Sequence, residues 1–396
     1  MRIQQFKWTQ SGWAPPLPGS RDSKVQLVLV FGSGSALQAP GGLKCLRATW
    51  PGAVLFGCST AGEIVETQVG DETLSVTAIA FDHTRVHAAR FQLGEPADSF
   101  EAGQKLAAQF PAALPADGAE PDPLCHVLVL SDGLKVNGSD LVRGLAHGLP
   151  PTVTLSGGLA GDGRRFQETS VVLDGSPQNG MLAAIGLYSR QLRAGCGSTG
   201  GWDPFGPERL ITRSSGNVLY ELDSQSALGL YKRYLGSHAS GLPASGLLFP
   251  LSLRSRAAET PVVRTILSIS EQDQSLTFAG NVPEGAFARF MKTNFDRLID
   301  GATDAARKCQ PAHAPGNPEF ALLISCVGRK LVLKQRIEEE VEAVRDVLGA
   351  GTALAGFYSY GEISPFGPGG RCELHNQSMT ITTLSETTAC TTPTAS

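Results

Sequence analysis

AVLFGCSTAGEI at 53–64 and ALAGFYSYGEI at 353–363 read alike: a short apolar strand runs into G-x-x-x-x-G-E-I. Each follows an earlier apolar run across a crossover, VQLVLVF at 25–31 and FALLIS at 320–325. The second crossover carries Ile337, Val341, Val344 and Leu348 on one helical stripe over 334–348. One such loop is weak evidence, but the same loop after the same strand–helix–strand unit points to duplication. Ligands in open α/β sheets sit at the carboxyl ends of strands, where both loops fall.

Working outward, LCHVLVL (124–130) is another buried strand, followed by a helix over 141–147, a strand at 153–155 and GGLAGDG at 157–163. Strands are expected at 169–173 and 181–188. Beyond residue 215 the pattern predicts a helix over 217–235 stopped by Gly236 and strands at 246–253, 261–269 and 275–279. A long helix is expected over 284–308, with Phe287, Phe290, Met291, Phe295 and Leu298 as its apolar face. Residues 310–318 read as a loop, 353–357 as a strand and 371–384 as the last element. The fold class is therefore α/β: two related halves, 1–215 and 216–385, with duplicated βαβ units and mixed sheets. The Thr-rich end, 386–396, is expected to be disordered.

Composition excludes several classes. The 396 residues are 41% hydrophobic and 18% charged, a globular balance. With 33 basic and 37 acidic residues and no basic run, nucleic acid and anionic membranes are poor partners. No apolar leader and no apolar stretch of about 18 residues are present, so a cytoplasmic chain is expected. The eight Cys form no C-x-x-C pair and no haem-attachment motif, and read as reduced thiols.

Glycine-rich loops let main-chain N–H groups approach a ligand. Cys58, Ser59, Thr60 and Ser359 add short polar groups, and Glu63 or Glu362 could meet a cation. The competing reading is that the glycines make turns and the glutamates cap amides. Asp132 and Asp162 read as turn or cap residues. The Gly57–Ala61 stretch lies one residue from a G-x-S-x-G elbow, with Asp132 and His375 downstream in hydrolase order. The other copy has Tyr358 where Ser59 stands, which weighs against a Ser59 or Cys58 nucleophile. His83 and His87 would share one strand face, a weak metal pair. Aligning Leu74 with Met379 places His375, Asn376 and Gln377 opposite Gly70, Asp71 and Glu72, so the scaffold itself needs no histidine there.

These residues resemble a known family. The GCSTAGEI, SDG (131–133), GGLAGD and ELD (221–223) segments are similar to the N-terminal FIST domain. ISCVGR (324–329), GFYSYGEI and LHN (374–376) are similar to the C-terminal one. The resemblance implies an intracellular sensory module of bacterial signalling that binds a small ligand and is not an enzyme. It implies a separate partner such as a histidine kinase, within a two-component system, and leaves self-association open. Stand-alone relatives include haem-binding nitric-oxide sensors. Under that implication His375 would be the axial ligand and Arg371, four residues upstream, a propionate contact. A free amino acid would instead use the two loops, with Ser359, Tyr360, Glu362 and Asn376 beside Thr60 and Glu63.

Overall fold

The structure, a computed structural model, describes residues 1–19, 24–94, 98–116, 119–255, 261–310, 316–367 and 369–387. The two expected copies are present. Leu27–Gly32 lies parallel to Val54–Ser59, and Phe320–Cys326 lies parallel to Ala353–Ser359. In each copy a returning strand, Leu74–Ala80 or Met379–Glu386, pairs antiparallel on the other side of the first.

A third copy stands between them. Ala119–Ser131 pairs parallel with Thr154–Leu159 and antiparallel with Met181–Tyr188. The register is the same in all three: Val30 faces Gly57, Val129 faces Gly157, and Leu323 faces Gly356. At each of these glycines an added Cβ would run into the facing carbonyl oxygen. The three returning strands are also entered alike, through a left-handed residue two before the first one paired with the unit's first strand: Glu72 (φ 57°), Gly180 (φ 64°) and Gln377 (φ 61°).

Each unit extends an arm that pairs with its neighbour rather than with itself. Glu63–Val65 of the first unit pairs with Ala353–Ser359 of the third. Gly361–Pro365 of the third pairs with Thr154–Leu159 of the second. Val171–Leu173 of the second pairs with Val54–Ser59 of the first. The exchange closes in a ring, so the three sheets form one body with pseudo-three-fold order. Its core crosses the unit boundaries; Phe31 stacks on Phe357 with ring centroids 4.6 Å apart.

Between the second and third units the chain makes a separate sheet. Its eight strands run from Asp203 to Lys292, and its two end strands, Val262–Arg264 and Ile266–Ser270, are successive pieces of one segment. The sheet therefore wraps into a barrel around Ile211, Leu219, Tyr231, Phe278 and Phe290. The boundary read at 215/216 falls on a hairpin turn inside this barrel, between Asp203–Ser215 and Val218–Leu222. A buried ion pair ties the barrel's exit to the third unit: Arg329 Nη2 meets Glu340 at 2.7 Å and the Leu298 carbonyl at 2.7 Å.

Most of the corrections to the sequence reading fall in the barrel region. The helix expected over 284–308 is a strand, Phe287–Lys292, then a helix, Phe295–Lys308. Ala288 and Phe290 point inward between half-buried Phe287 and Arg289, a two-residue period, and Asn294 caps the helix by accepting the Arg297 N–H at 2.9 Å. The helix expected over 217–235 begins only at Ala227, because Val218–Leu222 is a strand and Asp223 and Ser224 are both left-handed. Residues Ala244–Leu248 are 3-10 helix, with the strand delayed to Leu251. The last element is two strands, Cys372–His375 and Met379–Glu386. Glu386 and Thr387, read as part of the disordered end, are hydrogen-bonded; 388–396 lie outside the described residues, as do 311–315 of the expected loop.

The glycine register yields a test. Gly57→Ala and Gly356→Ala should each destabilise by about 1–3 kcal/mol, the usual cost of overpacking a tight core. Gly175→Ala meets only ordinary contact at 3.8 Å and should change stability by less than about 0.5 kcal/mol. Urea denaturation of the three variants checks this; equal midpoints would refute the close approach.

Candidate functional site

The three arms begin in three loops that interlock. The Ala61 amide donates to the Tyr358 carbonyl at 2.8 Å, the Tyr360 amide to Leu159 at 3.3 Å, and the Gly161 amide to Ser59 at 2.9 Å. In the shared register 59, 159 and 358 are one position, and 61, 161 and 360 are another. Further amides are used locally: Thr60 donates to the Gly32 carbonyl and Ala160 to Ser131. These loop N–H groups are therefore committed to the fold and do not present an anion nest.

The polar residues read as ligand contacts serve the same interlock. Buried Glu63 accepts from Thr60 Oγ1 (2.6 Å), the Thr73 amide (3.2 Å) and Thr73 Oγ1 (2.7 Å). Buried Glu362 repeats this with Ser359 Oγ (2.6 Å), the Ser378 amide (3.2 Å) and Ser378 Oγ (2.9 Å). Each glutamate braces its arm to the start of the returning strand. Burial pushes Glu63 up to about 7 and Glu362 up to about 8, against the opposing pull of those donors. The second unit has Gly163 and Met181 at these positions. There Tyr360 stacks on Phe166 and donates to Asp162, while Asp162 also accepts the amides of Phe166, Gln167 and Glu168. Asp132 accepts the amides of Leu134, Lys135 and Gly180, as expected of a turn residue.

The nucleophile readings fail on geometry. Ser59 Oγ is buried and accepts the Ser170 amide at 2.9 Å. Cys58 is buried, and desolvation pushes its thiol well up, away from thiolate character. Among the described residues no three His, Cys, Asp or Glu side chains gather as a metal site. His83 precedes its strand and His87 reaches the Gln109 carbonyl, so they do not share a face.

His375 does not fit an axial role as it stands. Its Nε2 bonds the Ser364 carbonyl at 2.9 Å, and its ring lies edge-on to Phe366. Burial pushes it down to about 4. Arg371 is exposed and pairs with Glu373 at 3.4 Å, and Asn376 bridges the barrel (Thr265 amide) and the Tyr360 carbonyl. The haem expectation thus rests on the family resemblance alone.

An open cleft lies where the three units meet, at the carboxyl end of Phe320–Cys326. Its volume is about 470 Å³. Ala61 and Asp71 come from the first unit, Gly163 and Arg164 from the second, Lys330 and Lys334 from the third. Lys330 Nζ donates to the Ala61 carbonyl at 2.8 Å, pairs with Asp71 and lies 5.5 Å from the centre of the Tyr358 ring. A larger surface cleft, about 650 Å³, lies at the amino ends of the parallel strands around Gln26, Asp82 and Glu120, the less usual end for a ligand. None of the ten residues read from the sequence lines the three-unit cleft. Its cations follow two quoted motifs, Arg164 after GGLAGDG and Lys330 and Lys334 after ISCVGR, but only the arm exchange brings them together.

The raised glutamates make a pH prediction. Folded Glu362 holds its proton up to about 8, whereas the unfolded side chain releases it near 4.5, so stability falls as pH rises between those values. Buried His126 and His375, both pushed down to about 4, act oppositely below pH 6.5. Between pH 6.5 and 8 wild-type Tm should therefore fall, and Glu362→Gln, whose amide can donate to Ser359 Oγ, should flatten the decline. Parallel curves for the two proteins would refute it.

A search of curated proteins finds no match. A solved chorismatase, a crystal structure at 1.08 Å resolution, aligns over 97% of this chain and 98% of its own, at 11% identity and a TM-score of 0.34. The FIST N domain family matches residues 26–225 and the FIST C domain family residues 227–365. With both domains matched along most of its length, the chain belongs to the FIST family.

Proposed function

We propose that this protein is a small-ligand sensor of signal transduction that holds its ligand in the three-unit cleft and reports to a separate signalling protein. FIST domains are sensor domains of signal transduction. The observation that carries the reading to a site is the lining of the cleft by all three units. A ligand there touches each partner of the interlock at once, and can bias how the units sit only by binding one arrangement better than another. The volume falls in the range of small-molecule sites, about 300–1,000 Å³. In this reading the protein acts by binding and not by turnover; its Ser59 and Cys58 are buried. Among the described residues no helix is long and apolar enough to cross a membrane. We place the protein in the cytoplasm, with a histidine kinase as the partner that the family resemblance suggests.

Thermal-shift screening of the purified protein against a metabolite library tests this. A ligand present at 100 times its Kd should add about 2.7 kcal/mol of stability. It should do so in wild type, and fail in Gly163→Trp, which fills the cleft. No hit, or a hit indifferent to Gly163→Trp, would overturn the site. The same preparation should be inspected for a Soret band: its presence, shifted by nitric oxide and altered in His375→Ala, would replace this site with a haem site. Chemical conversion of the hit would make the protein an enzyme.

A further inference from the structure

We infer that the three-unit cleft takes a small oxyanion, a metabolite bearing phosphate or carboxylate groups, with Arg164 and Lys334 as its direct counter-charges and Lys330 as a fixed one. The inference rests on the sensor reading above and names its ligand class. The chain carries a formal charge of -4, yet this cleft gathers three cations against one carboxylate. Lys330 is held in place by Asp71 and the Ala61 carbonyl. Arg164 and Lys334 are exposed and have no hydrogen-bonding or ionic partner among the described residues. Their sequence neighbours do: Arg165 lies 3.8 Å from Asp162, and Arg336 pairs with Glu339 at 2.6 Å. Two unpaired cations thus converge with a paired one on a concave surface, where low-dielectric walls concentrate their field.

The backbone supplies an independent observation. Lys334 ends the helix Val327–Leu333 at φ 52°, ψ -117°. The barrel helix Ala227–Leu235 ends in nearly the same conformation, φ 56°, ψ -122°, and there the residue is Gly236. A Cβ is disfavoured in that region, so a lysine is held there at a cost in stability, and strain of this kind concentrates at ligand clamps. The residue that bears it lines the cleft, and its ammonium is unpaired among the described residues.

Calorimetric titration with inorganic pyrophosphate and with citrate, at low ionic strength, tests the class and separates phosphate from carboxylate. At least one should bind saturably at a single site, with affinity falling as sodium chloride is raised. Arg164→Gln and Lys334→Gln should each weaken it roughly tenfold or more, the loss of one charge-assisted hydrogen bond. Arg233→Gln, exposed on the barrel helix, should leave it unchanged. Lys334→Gly should raise Tm while weakening binding, an opposition that a purely structural lysine would not show. No saturable binding of either probe, or equal affinity in wild type, Arg164→Gln and Lys334→Gln, overturns the oxyanion assignment. If a library ligand still depends on Gly163 in that case, the sensor site stands and only its ligand class falls.

Discussion

Three backbone hydrogen bonds at the centre of the molecule determine what its loops can do. Ala61 donates to Tyr358, Tyr360 to Leu159 and Gly161 to Ser59, each unit giving one amide and receiving one. These amides are buried, and a buried N–H without a partner costs about 1–3 kcal/mol, so each bond constrains the other two loops as well as its own. The arm strands extend the same logic outward: an edge left open in one unit is covered by the next, and the ring leaves no unit complete alone. The glycines at 57, 157 and 356 permit the strands ahead of the loops to approach closely enough for this to happen.

That constraint explains why the residues most visible in the sequence are not at the surface. Glu63 and Glu362 were legible as a repeated pair, and their repetition is real, but it repeats a brace: one carboxylate, one hydroxyl three residues before it, and one Thr or Ser at the start of the returning strand. A repeated polar residue is as well explained by a repeated joint as by a repeated ligand contact. The third copy escaped the template because Gly163 stands where the glutamate should be and the arm strand begins only at Val171. Its apolar strand and Gly157 at the common register were in plain view. The alignment of Gly70 with His375 was sound, since Glu72 and Gln377 share the same left-handed turn. Reading the strand Phe287–Lys292 as helix had a different cause: Phe287, Phe290 and Met291 suit a helical stripe, and only pairing with Asp203–Ser215 and Leu251–Arg254 decides for the sheet.

The cleft follows from the same ring. A junction of three units leaves a depression that no single unit could form, and the residues that line it come from positions far apart in sequence: 61 and 71, 163 and 164, and five between 327 and 335. No local motif could have announced it. Lys330 links interlock and cleft directly, because one ammonium contacts the Ala61 carbonyl inside the loop and Asp71 at the rim. On the proposed reading, a ligand beside Lys330 would act on a group that already holds the first unit to the third, so that ligand contact and internal joint would be shared.

The claim beneath all of this is that the loop amides hold the units together and are not free to receive a ligand. Residue-resolved amide hydrogen exchange on the ligand-free protein tests it most directly. The account predicts that the amides of Ala61, Gly161 and Tyr360 exchange as slowly as those of the central strands, and that the three are protected together. Rapid exchange at Ala61 and Gly161, with the flanking strands protected, would show open loops and contradict it.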